Sequence, residues 1–231
     1  MIFNQQQKNK MKTNWFVHDC ETAPLMGDAL KKIMPAFDES EVGVGNIKDP
    51  EKIKAKIEAE RLKHEEKFYR KAALSATTGR VLCIGGLKAD GDEIILEGDE
   101  KDMLTEFWTI WTLTRDVSFI GFNCRSFDIP FLARRSWVNG VKVPTDLVDG
   151  RYQSGRIIDL MEVWDVGKYG SEAGSQSLDM IAKILGVGEK SGSGKDFANL
   201  YISDRKAALE YLHNDLMLTM KVGVAMGVIE L

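Results

Sequence analysis

The feature that most narrows what this chain can fold into lies near its C-terminus. After Asp204, a natural helix cap, residues Ala208, Tyr211, Leu212, Asp215, Thr219 and Val222 recur at the three- and four-residue spacing of one helix face, reaching about Met226. The middle of that inward stripe is a carboxylate. An isolated buried charge costs several kcal/mol, so any fold that docks this helix must supply Asp215 with a pairing cation, a proton or a metal. Tyr211 stands one turn earlier on the same face, so phenol and carboxylate point into one site. A phenol of reference pKa about 10 is protonated at neutral pH, which suits it to orienting water rather than to acting as an ordinary base.

Two other segments place acids in the same awkward way. Trp15-Phe16-Val17-His18 reads as a strand running into Asp19-Cys20-Glu21-Thr22, closed by Pro24. Side chains two apart on a strand share a face, so Asp19 and Glu21 project together and raise each other's pKa unless a cation intervenes. Asp128 opens a helix after a buried strand, amid aromatic neighbours. Four carboxylates from three distant segments, with no evident basic partner nearby in sequence, point to an oxygen-rich site for Mg²⁺ or Mn²⁺.

Composition bounds the rest. The chain has 231 residues, 44% hydrophobic and 29% charged, with 31 Lys and Arg against 35 Asp and Glu for a net charge of −4. That excludes a protein coating nucleic acid through a general basic surface but leaves a local, metal-assisted site open. Cys20, Cys83 and Cys124 are scattered and form no Cys-x-x-Cys pair, which argues against a disulfide framework or structural zinc. No apolar run approaches the roughly 18 to 20 residues of a membrane span, and the N-terminus lacks a signal-peptide core. The expectation is a cytoplasmic protein with no membrane partner, built as a disordered arm over 1–13 and one domain over 14–231 with an insertion at about 26–78.

The insertion carries a charge-dense helical stretch, Asp49 to Ala73, with i,i+4 pairs Lys54/Glu58, Lys56/Glu60, Arg61/Glu65 and Glu66/Arg70 and no wide apolar stripe. It reads as a projecting, solvated helix, with a substrate or partner arm as the alternative. Arg80–Leu87 and Glu93–Glu97 flank an Asp-Gly turn and predict a hairpin. A helix over 101–114, a buried strand Val117–Gly121, the helix opened by Asp128, a short strand near 156–159 and a helix over 177–186 with a glycine stop follow. That order describes an α/β layer fold around a mixed sheet.

At this point the residues resemble a known family. Asp19-x-Glu21, Phe122-Asn123-x-x-x-Phe127-Asp128 and Tyr211-x-x-x-Asp215 are similar, in order, to the three motifs of the DnaQ-like 3′→5′ exonucleases of the DEDDy branch. Gly121 before the middle motif and Ile129-Pro130-Phe131 after it look most like the proofreading domains of family B DNA polymerases. The resemblance covers residues 15–25 and about 79–226. It implies a ribonuclease H-like fold with a mixed five-stranded sheet flanked by helices, and two-metal hydrolysis of terminal phosphodiesters of single-stranded DNA or frayed 3′ ends, releasing nucleoside 5′-monophosphates. Asp19, Glu21, Asp128 and Asp215 would hold two Mg²⁺ or Mn²⁺ ions, Tyr211 would orient the water, and Thr22, Asn123 and Phe127 would touch the terminal nucleotide. RNA as substrate, a non-catalytic nucleic-acid-binding module, and a replication or repair partner stay open.

Other features are assigned bland roles. Phe127 is equally readable as core, Arg134 and Arg135 as surface charges rather than phosphate clamps, and Asp159 as a helix cap rather than a support of the metals. His213 lies on another helix face from Asp215. The Gly/Ser/Lys segment 186–196 misses the Walker A pattern and reads as a loop that closes over a strand end.

Overall fold

The computed structural model describes residues 14–149, 152–166, 176–192, 194 and 197–231, so the expected arm over 1–13 lies outside the described residues. Two compact units emerge: Thr22–Arg80, and the remainder of the chain up to Glu21 and from Val81.

The second unit is organised by a five-stranded sheet. Strands β1 (Trp15–Pro24), β2 (Gly79–Lys88), β3 (Glu93–Glu97) and β4 (Ser118–Gly121) are joined by the late strand β7 (Ile157–Asp159) in the order β3-β2-β1-β4-β7. β2 and β3 form the antiparallel hairpin that the Asp-Gly turn predicts, with Gly91 at φ +90°. β1, β4 and β7 run parallel, with Val17 opposite Ile120 and Gly121 opposite Asp159. Strands covered on both faces read as near-continuous apolar runs. Val17, Ile120, Phe119 and Ile157 are accordingly inaccessible to solvent.

Helices cover both faces. α3 (Glu100–Leu113) begins at Asp99, whose carboxylate accepts the Lys101 and Asp102 N–H groups, and buries Phe107, Trp108 and Trp111. Trp111 meets Phe119 with ring centroids 4.6 Å apart. α4 (Asp128–Val138) follows β4 and α5 (Leu160–Trp164) follows β7. α6 (Leu178–Leu185) is capped by Ser177 and stopped by Gly186 in the left-handed conformation at φ 69°. α7 (Phe197–Ser203) precedes α8 (Arg205–Ala225), where Asp204 caps the first turn by accepting the Ala207 N–H. Leu216, Leu218 and Val222 of α8 join Trp15, Val17, Ile120, Leu160 and Ile181 in one core. The elements not foreseen are short: the 3₁₀ turns, the helix Asp28–Ile33, α5, α7 and a two-stranded ribbon of β5 (Val148–Asp149) and β6 (Tyr152–Gln153).

Arg135 departs from its expected role as a surface charge. It is 5% exposed, and its Nε and Nη2 reach Glu100 at 2.9 and 2.7 Å, a fork geometry that lets a guanidinium be buried. Arg134, its neighbour, is exposed.

In the unit Thr22–Arg80, helix α1 (Asp28–Ile33) is followed by the long α2 (Pro50–Ala72), started by the Asp49 cap and Pro50. The Leu25 N–H donates to the Thr78 carbonyl at 2.8 Å, so the ends of this excursion are hydrogen-bonded to each other. Of the residues on α2 only Ala72 is buried. Its ion pairs differ from those expected: Arg61 meets Glu58 at 3.4 Å and also Glu39, and Lys63 meets Glu60 at 2.7 Å. Exposed pairs are worth so little that side chains on a solvated helix choose among neighbours by small margins. Among the described residues, no helix is long and apolar enough to cross a membrane.

Candidate functional site

Strand alternation and helix periodicity bring the acids together. Asp19 and Glu21 leave the same face of β1, and Asp215 arrives from the buried face of α8. One carboxylate oxygen from each lies within 4.8 Å of the other two. Asp128 is not a member of that triplet. From the first turn of α4 its Oδ1 accepts the Cys20 N–H at 3.0 Å, which anchors it to the strand residue between Asp19 and Glu21. Its charge is still felt at Asp19.

The electrostatics follow from that crowding. Burial first, and then the Asp128 and Asp215 charges, hold the Asp19 carboxyl well above the ordinary carboxylate range. Burial and the neighbouring Asp19 push Glu21 up to about 9, and burial raises Asp128 to about 6. Asp215 is also raised by burial, with Lys190 opposing. Such a set gains most from a divalent cation, which stabilises every charged form at once.

The chain supplies a cation of its own. Lys190 Nζ lies 2.6 Å from Asp215 Oδ2 and 5.5 Å from the centroid of the Tyr211 ring. Its own burial opposes the charge, but Asp215 prevails and holds the ammonium above its ordinary pKa. Asp215 Oδ1 and the Tyr211 phenol oxygen are buried and make no hydrogen bond of ordinary length among the described residues, although Tyr211 lies close enough to Asp215 and Lys190 to interact with both. Burial, then Asp215, raise the phenol further above neutrality, so it stays protonated. A cluster of three acids with an orphaned oxygen, offering only hard donors, fits Mg²⁺ or Mn²⁺.

The cleft beside these groups has a volume of about 410 Å³ and is lined by Asp19, Phe122, Asn123, Lys190, Asp215 and Thr219 among others. Asn123 takes a left-handed conformation, φ 59°. Asp159 holds that turn: its oxygens accept the N–H groups of Asn123 at 2.8 Å and Arg125 at 3.0 Å while also capping α5 through Met161 at 3.0 Å. The Asp159 cap expected from the sequence is present, with a second duty that sequence spacing does not reveal. Phe127 is half-buried, 5.6 Å from Phe131 between ring centroids. The Thr22 hydroxyl donates to the Ala73 carbonyl at 2.8 Å. His213 is turned away, with Nδ1 2.8 Å from Glu93 Oε2.

Lys190 is the residue that sequence reasoning passed over. Its segment was expected over a strand end. The described part of 186–196 lies against α8, where a Cβ at Gly192 would sit 3.3 Å from the Tyr211 ring and one at Gly194 3.6 Å from its oxygen, and its Lys190 lines the cleft with Asp19 of β1. Residues 193, 195 and 196 are outside the described set. The available signal was a pair of lysines, Lys190 and Lys195, among small residues in a chain whose acids lacked a basic neighbour in sequence.

In solved structures the fold is similar to that of the family B DNA polymerase from the hyperthermophilic archaeon Pyrobaculum calidifontis, at 15% identity and a TM-score of 0.60 over 91% of this chain. The chain spans 24% of that polymerase's length, and the shared fold is the ribonuclease H-like one. No curated protein matches the sequence. Residues 67–229 match the family model for predicted 3′–5′ exonucleases related to the exonuclease domain of PolB, and this chain belongs to that family.

Proposed function

We propose that this protein is a 3′→5′ exonuclease that removes nucleotides from single-stranded DNA ends as nucleoside 5′-monophosphates. The observation that carries the reading is the convergence of Asp19, Glu21 and Asp215 within 4.8 Å, with a buried, unpartnered oxygen on Asp215. Family membership supports the reaction class. Asp19, Glu21, Asp128 and Asp215 would hold two Mg²⁺ or Mn²⁺ ions. When bound, these supply Lewis acidity to the scissile phosphate and lower the pKa of water toward neutrality.

The chain's own groups do the positioning. Asp128, tied to the β1 backbone, and the Asp19/Glu21 pair fix the carboxylates on a rigid strand. Tyr211 remains protonated and directs a water by hydrogen bonding. Asn123 lines the cleft together with Phe122. Phe127 and Thr22 are not among the cleft's lining residues, and their contacts to the terminal nucleotide rest on the family resemblance alone, with the Thr22 hydroxyl hydrogen engaged by the Ala73 carbonyl. Lys190 neutralises Asp215 and would have to yield that carboxylate to a bound ion.

The test is digestion of 5′-labelled DNA and RNA single strands with Mn²⁺, Mg²⁺ or EDTA. A one-nucleotide ladder shortening from the 3′ end of DNA, present only with metal, is expected. A ladder on RNA alone would overturn the substrate assignment, and tight binding without shortening would overturn catalysis. Asp19→Asn and Asp215→Asn each lower the rate at least about 1,000-fold, the equivalent of the several kcal/mol a bound divalent ion contributes. Tyr211→Phe lowers it roughly 100-fold with little change in metal affinity.

A further inference from the structure

Helix α2 carries an ordered charge pattern that the catalytic reading does not use. At 3.6 residues per turn, Lys52, Lys56, Lys63, Lys67 and Arg70 fall within about 60° of one another around the helix axis and span roughly 27 Å along it. Glu51, Glu58 and Glu65 fall on the opposite side, and Glu60 and Glu66 flank the stripe. Lys52, Lys63, Lys67 and Arg70 are exposed. Lys56 is partly covered and donates to the Gly43 carbonyl. Among the described residues, Lys52, Lys67 and Arg70 form no ion pair, and Lys63 pairs only with Glu60. A concavity of about 550 Å³ runs beside the stripe, its wall mixing Lys56, Lys63 and Lys67 with Asp38, Glu41 and Glu60, so the basic character belongs to the exposed helix face and not to this hollow.

A solvated helix held up by i,i+4 pairs would intersperse its charges, and the four such pairs available in this sequence are not made. Collecting five basic residues on one side, in a protein of net charge −4, raises like-charge repulsion that an external polyanion relieves. An anionic membrane is the poorer fit. Leu62 and Tyr69, the exposed apolar residues of the helix, share the sector of Glu51, Glu58 and Glu65, so the side that would insert is the side that is repelled.

We infer that the basic face of α2 is a second nucleic-acid contact, gripping the phosphodiester backbone of the substrate apart from the acids that hold metal. The inference rests on the nucleic-acid substrate of the proposed function but not on its chemistry. Arginine and lysine contacts to phosphates release counterions, so binding through this face is strongly salt-dependent and indifferent to sequence.

The experiment measures anisotropy of a fluorescent single-stranded oligonucleotide of about 20 nucleotides, and of its duplex, in EDTA across a salt series, so that no cleavage intervenes. A variant with Lys52, Lys63, Lys67 and Arg70 all changed to alanine is compared with a charge-matched control in which Lys31, Lys32, Lys48 and Lys54, all off the stripe, become alanine. Circular dichroism confirms that both keep their helices. For the single strand, the stripe variant is expected to bind at least about tenfold more weakly at low salt, with a slope of log K against log salt shallower by about 3, while the control moves far less. Hydrolysis with Mn²⁺ of the nitrophenyl ester of thymidine 5′-monophosphate, which has no polynucleotide backbone to grip, stays unchanged. If that activity is absent from the wild type but the stripe effect holds, the exonuclease reading fails and this one stands. Equal loss in both variants, or no loss in the stripe variant, overturns the inference. So does wild-type binding to phosphatidylserine vesicles that depends on the four residues while oligonucleotide binding does not.

Discussion

At the scale of single residues, the site is governed by how it manages charge without help from solvent. Glu21 has a folded pKa of about 9 against an ordinary 4.5, so it favours the folded state fully below 4.5 and loses that contribution as pH rises toward 9. In chelator, thermal melts of the wild type should therefore fall relative to Glu21→Gln across that window, and saturating Mn²⁺ should reverse the trend. Lys190 pairs with Asp215, and on the proposed function it would compete with metal for that carboxylate. Lys190→Met should destabilise the chelated protein by about 1 to 3 kcal/mol in urea titrations, the cost of leaving a buried charged group unpaired. Calorimetric titration of the same variant should show tighter Mn²⁺ binding. Asp19, Glu21 and Asp215 were legible from pattern alone because each breaks an apolar rhythm. Lys190 was not, because a lysine in a loop breaks none, and its contact with Asp215 spans 25 residues of chain that only the fold brings together.

At the scale of elements, local rules set the boundaries well. The Asp99, Ser177 and Asp204 caps and the Gly186 stop all lie where propensity puts them, since capping is decided within a few residues. Asp204→Ala should cost about 1 kcal/mol by the same measure, read from the urea midpoint. What stayed hidden depends on distant neighbours: α5 and α7 are too short to show a period, and Arg135 was read as exposed because its partner, Glu100, belongs to another helix. The turn after β4 is the element most exposed to damage. A Cβ at Gly121 would lie 2.6 Å from Cys124 Cβ and 3.2 Å from the His18 carbonyl oxygen. Gly121→Ala should accordingly cost about 1 to 3 kcal/mol and weaken metal binding, because the displaced backbone leads directly into Asn123 and Asp128.

At the scale of the whole molecule, every proposed metal ligand belongs to the unit that ends at Glu21 and resumes at Val81. Replacing residues between Leu25 and Thr78 by a short Gly-Ser linker should leave a cooperatively unfolding protein that still hydrolyses the nitrophenyl ester with Mn²⁺. The same deletion should lose the salt-dependent grip on oligonucleotides, as calorimetry and anisotropy would register. The bond from the Leu25 N–H to the Thr78 carbonyl makes this possible, because it fixes the gap to be bridged whatever lies beyond it. Loop closure grows only logarithmically harder with length, so a neck pinned at its base tolerates cargo of almost any size. The frame that carries the acids is thus a handle with an interchangeable head: if the proposed function holds, a different module grafted at this neck would redirect the same acids to another polymer end without altering one of them.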